Sequence, residues 1–110
     1  MIPPIIELEE KIKEINGKPY FPVEVAKVND QVVRMALFEG DFHWHTHAEE
    51  DELFFVYKGE IEIQYKDRDN VRLKQGQMHV VPKGVEHCPK SIQPSYVLMF
   101  EPYQTKSEKD

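Results

Sequence analysis

The stretch that decides the fold of this chain is His45-Thr46-His47-Ala48-Glu49-Glu50-Asp51-Glu52. His45 and His47 lie two residues apart, and in an extended strand such residues point to the same face. Two imidazoles and a nearby carboxylate form the ligand set of non-haem iron sites, and Zn, Mn and Ni take related sets. His87, which follows Pro82-Lys83-Gly84, would add a ligand from another strand. The sequence therefore predicts one metal site inside a β-barrel.

Four acidic residues compete for the carboxylate position of this site: Glu49, Glu50, Asp51 and Glu52. The first three lie in a predicted loop, where a cluster of charges is usually solvated. Glu52 instead begins an apolar run, and alternation places it on the same strand face as Phe54 and Val56. A carboxylate that is buried on an apolar face needs compensation, which a metal ion supplies. We therefore predict that Glu52 is the ligand; the alternative is a surface acid at the start of a strand.

Outward from this stretch, the chain reads as a succession of short strands. Residues 31–39, 52–57 and 95–101 are rich in apolar residues, and residues 61–65 alternate apolar and polar side chains. Turn residues separate these runs, among them Asn29-Asp30 and Lys58-Gly59. About eight or nine strands with frequent turns are typical of an all-β sandwich or barrel.

The segment before the strands is predicted to be a short amphipathic helix over residues 4–16. Four apolar residues recur at three- and four-residue steps and share one helix face: Ile5, Leu8, Ile12 and Ile15. Gly17 is a typical helix end, and Pro19 follows it. We expect this helix to cover a sheet face or to form a dimer contact, and we assign it no chemical role.

Composition limits the classes of partner. The chain has 110 residues, which suits one core, so we expect residues 1–110 to form a single domain. Its net charge of −6 disfavours nucleic acid and anionic membranes, because both require clustered lysine and arginine. No apolar run approaches the roughly 18 residues of a membrane span, and we expect no signal peptide. Cys88 is the single cysteine, which excludes an intrachain disulfide and favours a cytoplasmic location.

Two motifs in this chain resemble those of the cupin family. The first consists of Gly40, His45-Thr46-His47, Glu52 and Gly59, and its Gly40–His45 spacer is one residue shorter than usual. The second consists of Gly76, Pro82-Lys83-Gly84 and His87, with Ser91 at the position where asparagine often stands. The two motifs occur in the family's order and together span residues 40–91, so the resemblance is specific.

The resemblance implies a jelly-roll barrel over about residues 20–103, preceded by the short helix. It also implies which residues bind one divalent transition metal, either Fe, Mn, Ni or Zn: His45, His47, Glu52 and His87. Small single-domain cupins are dimers in general, so the resemblance implies a homodimer. Alternation places three apolar residues on the strand face opposite Glu52, where the helix or a partner chain would cover them: Leu53, Phe55 and Tyr57.

Several other residues near the motifs have open roles. His43 would either donate a hydrogen bond near a ligand or lie at the rim of the site. His79 is predicted to be a packed or interface histidine, Trp44 to pack outside the metal pocket, and Cys88 to be a small buried or interface residue. Arg34 would either hold a substrate carboxylate or form half of a surface ion pair, and we favour the surface pair. No catalytic residue is assigned.

Three functions are compatible with such a site. The favoured one is a small metal-dependent enzyme of the dioxygenase, isomerase or decarboxylase type, whose substrate is a small oxygenated organic acid, a sugar acid or a diketone. The alternative is a non-catalytic barrel that binds a sugar or another small molecule without turnover. A storage or scaffold role is disfavoured by the small size of the chain and by its complete ligand set.

Overall fold

A computed structural model describes residues 1–104 and confirms a mainly β fold with one short helix. The elements in chain order are α1 (Leu8–Ile15), β1 (Val23–Val28), β2 (Gln31–Phe38), β3 (Glu52–Tyr65), β4 (Val71–Lys74), β5 (Met78–Val81) and β6 (His87–Pro102). Within residues 1–104, no helix is long and apolar enough to cross a membrane.

The strands form one antiparallel sheet in the order β1-β2-β6-β3-β4, with β5 paired to β3. The two halves of each long strand, β3 and β6, pair with different neighbours. The first half of β3 pairs with β5 and with the end of β6, whereas its second half pairs with β4 and with the start of β6. Long strands whose two halves pair with different neighbours are consistent with the predicted jelly-roll barrel.

The predicted turn at Lys58-Gly59 is wrong, because β3 continues through it. The register between β3 and β6 shifts several times between Val56 and Ile61, which marks β-bulges within a continuous strand. Gly59 has a φ of +102° and lies directly against Ser95 of β6. The chain therefore bends at this glycine without reversing. The structure accordingly has fewer and longer strands than the sequence pattern predicts.

The barrel interior is filled by apolar side chains from the inner faces of the strands. Buried members of this cluster are Ala36, Phe38, Phe54, Val56, Ile61, Ile63, Tyr65, Leu73, Val81, Val97 and Met99. They alternate along each strand with residues that face outward, as a half-buried sheet requires. The same alternation continues into Glu52, which is 6% exposed and begins β3 on the inner face.

Helix α1 covers part of the outer face of the sheet, as predicted. Leu8, Ile12 and Ile15 pack in a second apolar cluster with Met35 and Leu37 of β2. The helix begins at Leu8, four residues later than predicted. Residues 1–7 precede it, and within them Ile5 is 88% exposed and has no core partner to hold it in a helical turn. The helix ends where Asn16 and Gly17 adopt left-handed conformations.

Candidate metal centre

The four predicted ligands come from three places along the chain that the barrel brings together. His45 and His47 lie in the segment between β2 and β3, Glu52 is the first residue of β3, and His87 is the first residue of β6. The main chains of His45 and His87 form a two-way bridge, in which each amide donates to the other carbonyl at 3.0 Å. This bridge places two of the imidazoles side by side.

The four side chains converge inside the barrel. All four residues are buried, and their potential ligand atoms lie within 4.8 Å of one another. The ring centroids of His45 and His87 are 4.3 Å apart, and Nε2 of His47 lies 3.2 Å from Oε1 of Glu52. The structure thus brings together the whole predicted set, in a space that one divalent ion would fill.

Hydrogen bonds on the far side of two imidazoles orient them for metal binding. Nδ1 of His45 lies 2.9 Å from the carbonyl oxygen of His43, and Nδ1 of His87 lies 2.9 Å from that of Val85. A carbonyl only accepts, so each Nδ1 carries the proton and each Nε2 keeps its lone pair. Nε2 of His87 is buried and has no hydrogen-bond partner among residues 1–104. A buried lone pair without a partner is costly, and a metal ion would satisfy it. The donor set therefore fits a divalent metal.

Burial also keeps these imidazoles in the neutral form that binds metals. It lowers the pKa of His45 to about 4, although the hydrogen bond to the carbonyl of His43 opposes this shift. Burial likewise lowers the pKa of His87. Both rings are thus uncharged at neutral pH, with no proton to displace from Nε2.

A small cavity of about 30 Å³ opens beside the four residues. Three of the predicted ligands line it: His45, His47 and Glu52. The other lining residues are Tyr20, Pro22, Ala36, Phe38, Phe42, Phe54, Pro89 and Met99. Its wall is therefore apolar and aromatic apart from the ligand set and one phenol, and no lysine or arginine is among these lining residues.

Comparison with known proteins identifies the family. Residues 28–101 match the family described as the cupin domain. The chain belongs to the cupin family. It is 37% identical over 103 residues to the uncharacterized protein YdbB of Bacillus subtilis, which covers 94% of this chain and 88% of YdbB.

Solved structures support the same fold for this cupin. A cupin-2 domain protein from Shewanella frigidimarina superimposes with a TM-score of 0.84 at 35% identity, over 89% of this chain and 94% of that one. The hydroquinone 1,2-dioxygenase of Sphingomonas sp. TTNP3, solved with 4-hydroxybenzoate bound, superimposes with a TM-score of 0.73 over 93% of this chain and 80% of that one. The latter is 21% identical to this cupin, so the likeness concerns the fold alone.

The lining of the cavity includes a tyrosine that the sequence pattern did not single out, Tyr20. Tyr20 adopts a φ of +57°, a left-handed conformation that is rare for a bulky residue. Its hydroxyl donates to the carbonyl of Gly40 at 2.5 Å, and its ring centroid lies 4.9 Å from those of Phe38 and Phe42. Burial raises the pKa of Tyr20, so the hydroxyl remains a neutral donor. The ring of Tyr20 thus forms part of the cavity wall.

Other histidines and Trp44 lie outside the ligand set. The ring centroid of His43 lies 3.8 Å from that of Phe42. The carbonyl oxygen of His43 accepts the hydrogen bond from Nδ1 of His45. Nε2 of His79 lies 2.7 Å from the hydroxyl of Tyr65, so His79 is packed within the barrel, as predicted. Trp44 is 39% exposed beneath the ammonium of Lys66 and does not line the cavity.

Arg34 does not form the surface ion pair that the sequence favoured. It faces the barrel interior and not the surface, and its Nη1 donates to Oε2 of Glu101 at 2.7 Å. The carboxylate that it holds thus belongs to the protein itself. Glu101 is 1% exposed and was missed by sequence reasoning. The available indication was its alternation with Val97 and Met99, which places an acid on an apolar face as it does for Glu52.

The depressed pKa of His45 predicts that the metal-free protein loses stability in mild acid. Its folded pKa of about 4 lies below the ordinary value of 6.5, so the unfolded chain takes up a proton first as the pH falls. Stability is therefore complete above pH 6.5 and declines towards pH 4, with a loss of about 2 kcal/mol at pH 5 from this residue alone. Urea unfolding of the metal-free protein at pH 7.5 and pH 5 measures the loss. His45→Gln should show a smaller difference between the two pH values, and an equal difference would contradict the prediction.

Proposed function

We propose that this cupin is a small metal-dependent enzyme of the non-haem type that acts on a small oxygenated organic molecule. The observation that supports this proposal is the convergence of three imidazoles and one carboxyl group beside an apolar cavity. Fe, Mn, Ni and Zn are all compatible with three nitrogens and one oxygen, because geometry and availability select among them. Such a set leaves one or two metal positions open to an oxygen ligand of the substrate.

The bound metal would supply Lewis-acid polarisation or activation of a small oxygen ligand. The protein residues prepare the site for this chemistry. His45 and His87 present lone pairs without adding charge, and His47 and Glu52 complete the donor set with a nitrogen and an oxygen. The apolar wall of Phe38, Phe54 and Met99 excludes bulk water, which strengthens electrostatic interactions inside the cavity.

The lining of the cavity favours an uncharged substrate with an apolar or aromatic body. A substrate carboxylate away from the metal would be buried without a cationic partner, because the lining contains no lysine or arginine and Arg34 is engaged with Glu101. A diketone or a phenol meets these conditions better than a sugar acid does.

Metal analysis followed by activity measurements tests this proposal. Untagged protein is analysed for bound metals, stripped, and reconstituted separately with Fe, Mn, Ni and Zn. Each form is assayed for oxygen uptake with diketones and phenols, and for conversion of sugar acids without oxygen. Stoichiometric metal and turnover of an uncharged substrate are expected. Saturable binding without turnover for every metal would favour the non-catalytic binding module, and no metal binding after reconstitution would overturn the site.

We also propose that two copies associate through the outer face of the sheet. Phe55 and Tyr57, two of the three residues predicted for the interface, pack against the apolar cluster under α1. The third, Leu53, pairs across the strands with Phe100 and Val80. Phe100 is 43% and Val80 46% exposed, so an apolar strip remains beyond the helix.

This proposal predicts a dimer that a single charge disrupts. Light scattering should give about twice the 13.0 kDa of the chain, and Phe100→Asp should shift the mass towards the monomer because it buries a carboxylate in the interface. Ile92→Asp, at a residue that is 41% exposed outside the strip, serves as the matched control. A monomeric mass for the unmodified protein would contradict the proposal.

A further inference from the structure

Three ionisable side chains lie next to one another across the inner face of the barrel. Arg34 is on β2, Glu101 on β6 and Glu52 on β3, three strands that are neighbours in the sheet. The register pairs Val32 with Glu101 and Leu53 with Phe100, so Arg34, Glu101 and Glu52 lie at neighbouring positions on the inner face. Each of these three side chains interrupts a face that is otherwise apolar.

These side chains form a continuous chain of polar contacts that ends at the metal centre. Nη1 of Arg34 donates to Oε2 of Glu101 at 2.7 Å, and Nη2 donates to the carbonyl of Tyr103 at 3.2 Å. The carboxyl groups of Glu101 and Glu52 are hydrogen-bonded to each other, which requires one proton between them. Oε1 of Glu52 in turn lies 3.2 Å from Nε2 of His47. Arg34 is 13% exposed and Glu101 1% exposed, so water contributes little to this chain of contacts.

Glu101 serves no evident purpose for packing or for direct substrate contact. It does not line the cavity, and an apolar side chain at its position would match Val97 and Met99 on the same face. Replacement of a buried ion pair by apolar residues is often neutral or stabilising, so the pair with Arg34 does not explain the acid by stability alone. The contact between Glu101 and Glu52 is therefore the informative one.

We propose that Glu101 is a positioning residue, which fixes the orientation of the predicted metal ligand Glu52 and is itself held by Arg34. This inference rests on the proposed metal site. Outer partners of metal ligands restrict ligand rotation, and their loss typically weakens metal binding by about 10- to 100-fold. Arg34 suits the anchoring role because its planar guanidinium binds Glu101 and the main chain of Tyr103 at the same time.

Cobalt binding tests the proposal without reference to any activity. Metal-free protein is titrated with Co²⁺ against a chromophoric chelator, and the visible absorption of the bound Co²⁺ reports the geometry of its ligands. Glu101→Met keeps the approximate length of the side chain but removes both of its oxygens, and with them the hydrogen bond to Glu52. It should weaken Co²⁺ binding by about 10- to 100-fold and shift the absorption bands. Glu62→Met is the matched control, because it makes the same replacement at a carboxylate of β3 that pairs with Lys90 and not with the site.

A second variant keeps the test decisive if Glu101→Met does not fold. Arg34→Lys retains the positive charge but loses the planar fork, so it should shift the same absorption bands by a smaller amount. Thermal unfolding of the metal-free variants separates a general loss of stability from a change at the site. Unchanged affinity and spectra in the folded variants would overturn the positioning role. Failure of the unmodified protein to bind Co²⁺ would instead overturn the metal site itself.

Discussion

Replacement of His87 by alanine is expected to leave a folded protein that no longer holds a stoichiometric metal ion. Nε2 of His87 is the one buried side-chain polar atom without a partner among residues 1–104, and the main-chain bridge to His45 does not depend on the imidazole. Loss of a ligand should exceed the effect of losing an outer partner, so affinity should fall at least about 100-fold. Elemental analysis and Co²⁺ titration of the purified variant measure this loss.

The matched control for this variant is His79→Ala. His79 is also a histidine of the barrel, but it contacts Tyr65 and lies outside the converging set. Its removal should leave the metal stoichiometry unchanged and lower stability modestly through the lost hydrogen bond. Full metal content in His87→Ala, or loss of metal in His79→Ala, would show that the four residues do not form the site.

Replacement of Gly59 by alanine is expected to destabilise the protein by about 3 kcal/mol or more. A Cβ at this position would overlap Ser95, whose own Cβ would be 2.6 Å away and whose hydroxyl would be closer still. Ser95 cannot move aside easily, because it is fully buried and its hydroxyl accepts from the amide of Glu60 at 2.8 Å. The left-handed φ adds strain to this overlap.

Gly76→Ala isolates the contribution of the backbone. Gly76 also has a positive φ, +86°, but a Cβ there would meet nothing within 4 Å. Its replacement should therefore cost only about 1–2 kcal/mol, the strain of a left-handed residue. Urea unfolding of the two metal-free variants gives the comparison. Equal losses would show that contact with Ser95 does not determine the role of Gly59.

Local alternation was sufficient to predict the faces of the strands but not their ends. It placed Glu52, Phe54 and Val56 inside and Leu53 outside, because side-chain direction depends only on the two-residue repeat. The same repeat cannot distinguish a hairpin from a bulge, since both can contain a glycine at positive φ. The difference at Gly59 is made by Ser95, which lies 36 residues further along the chain.

The residues of the candidate site were likewise predictable only in part. The spacing of the two histidine motifs identified the four residues that the barrel brings together, although metal binding itself stays a prediction. The ion pair of Arg34 and Glu101 was not predicted, because it depends on the register between β2 and β6, which joins residues 67 positions apart. The role of Tyr20 was missed because its ring contacts with Phe38 and Phe42 join residues 18 and 22 positions apart, and no local pattern specifies them.

His45 and His87 are joined through their main chains, so the frame of the site does not depend on the identity of its side chains. Each amide donates to the other residue's carbonyl, and any amino acid except proline can maintain that exchange. A descendant that lost one imidazole would keep the distance across which a later substitution could restore it. The ligand set could therefore be lost and restored by single substitutions, whereas a deletion between Gly40 and Glu52 would remove the frame together with the candidate site.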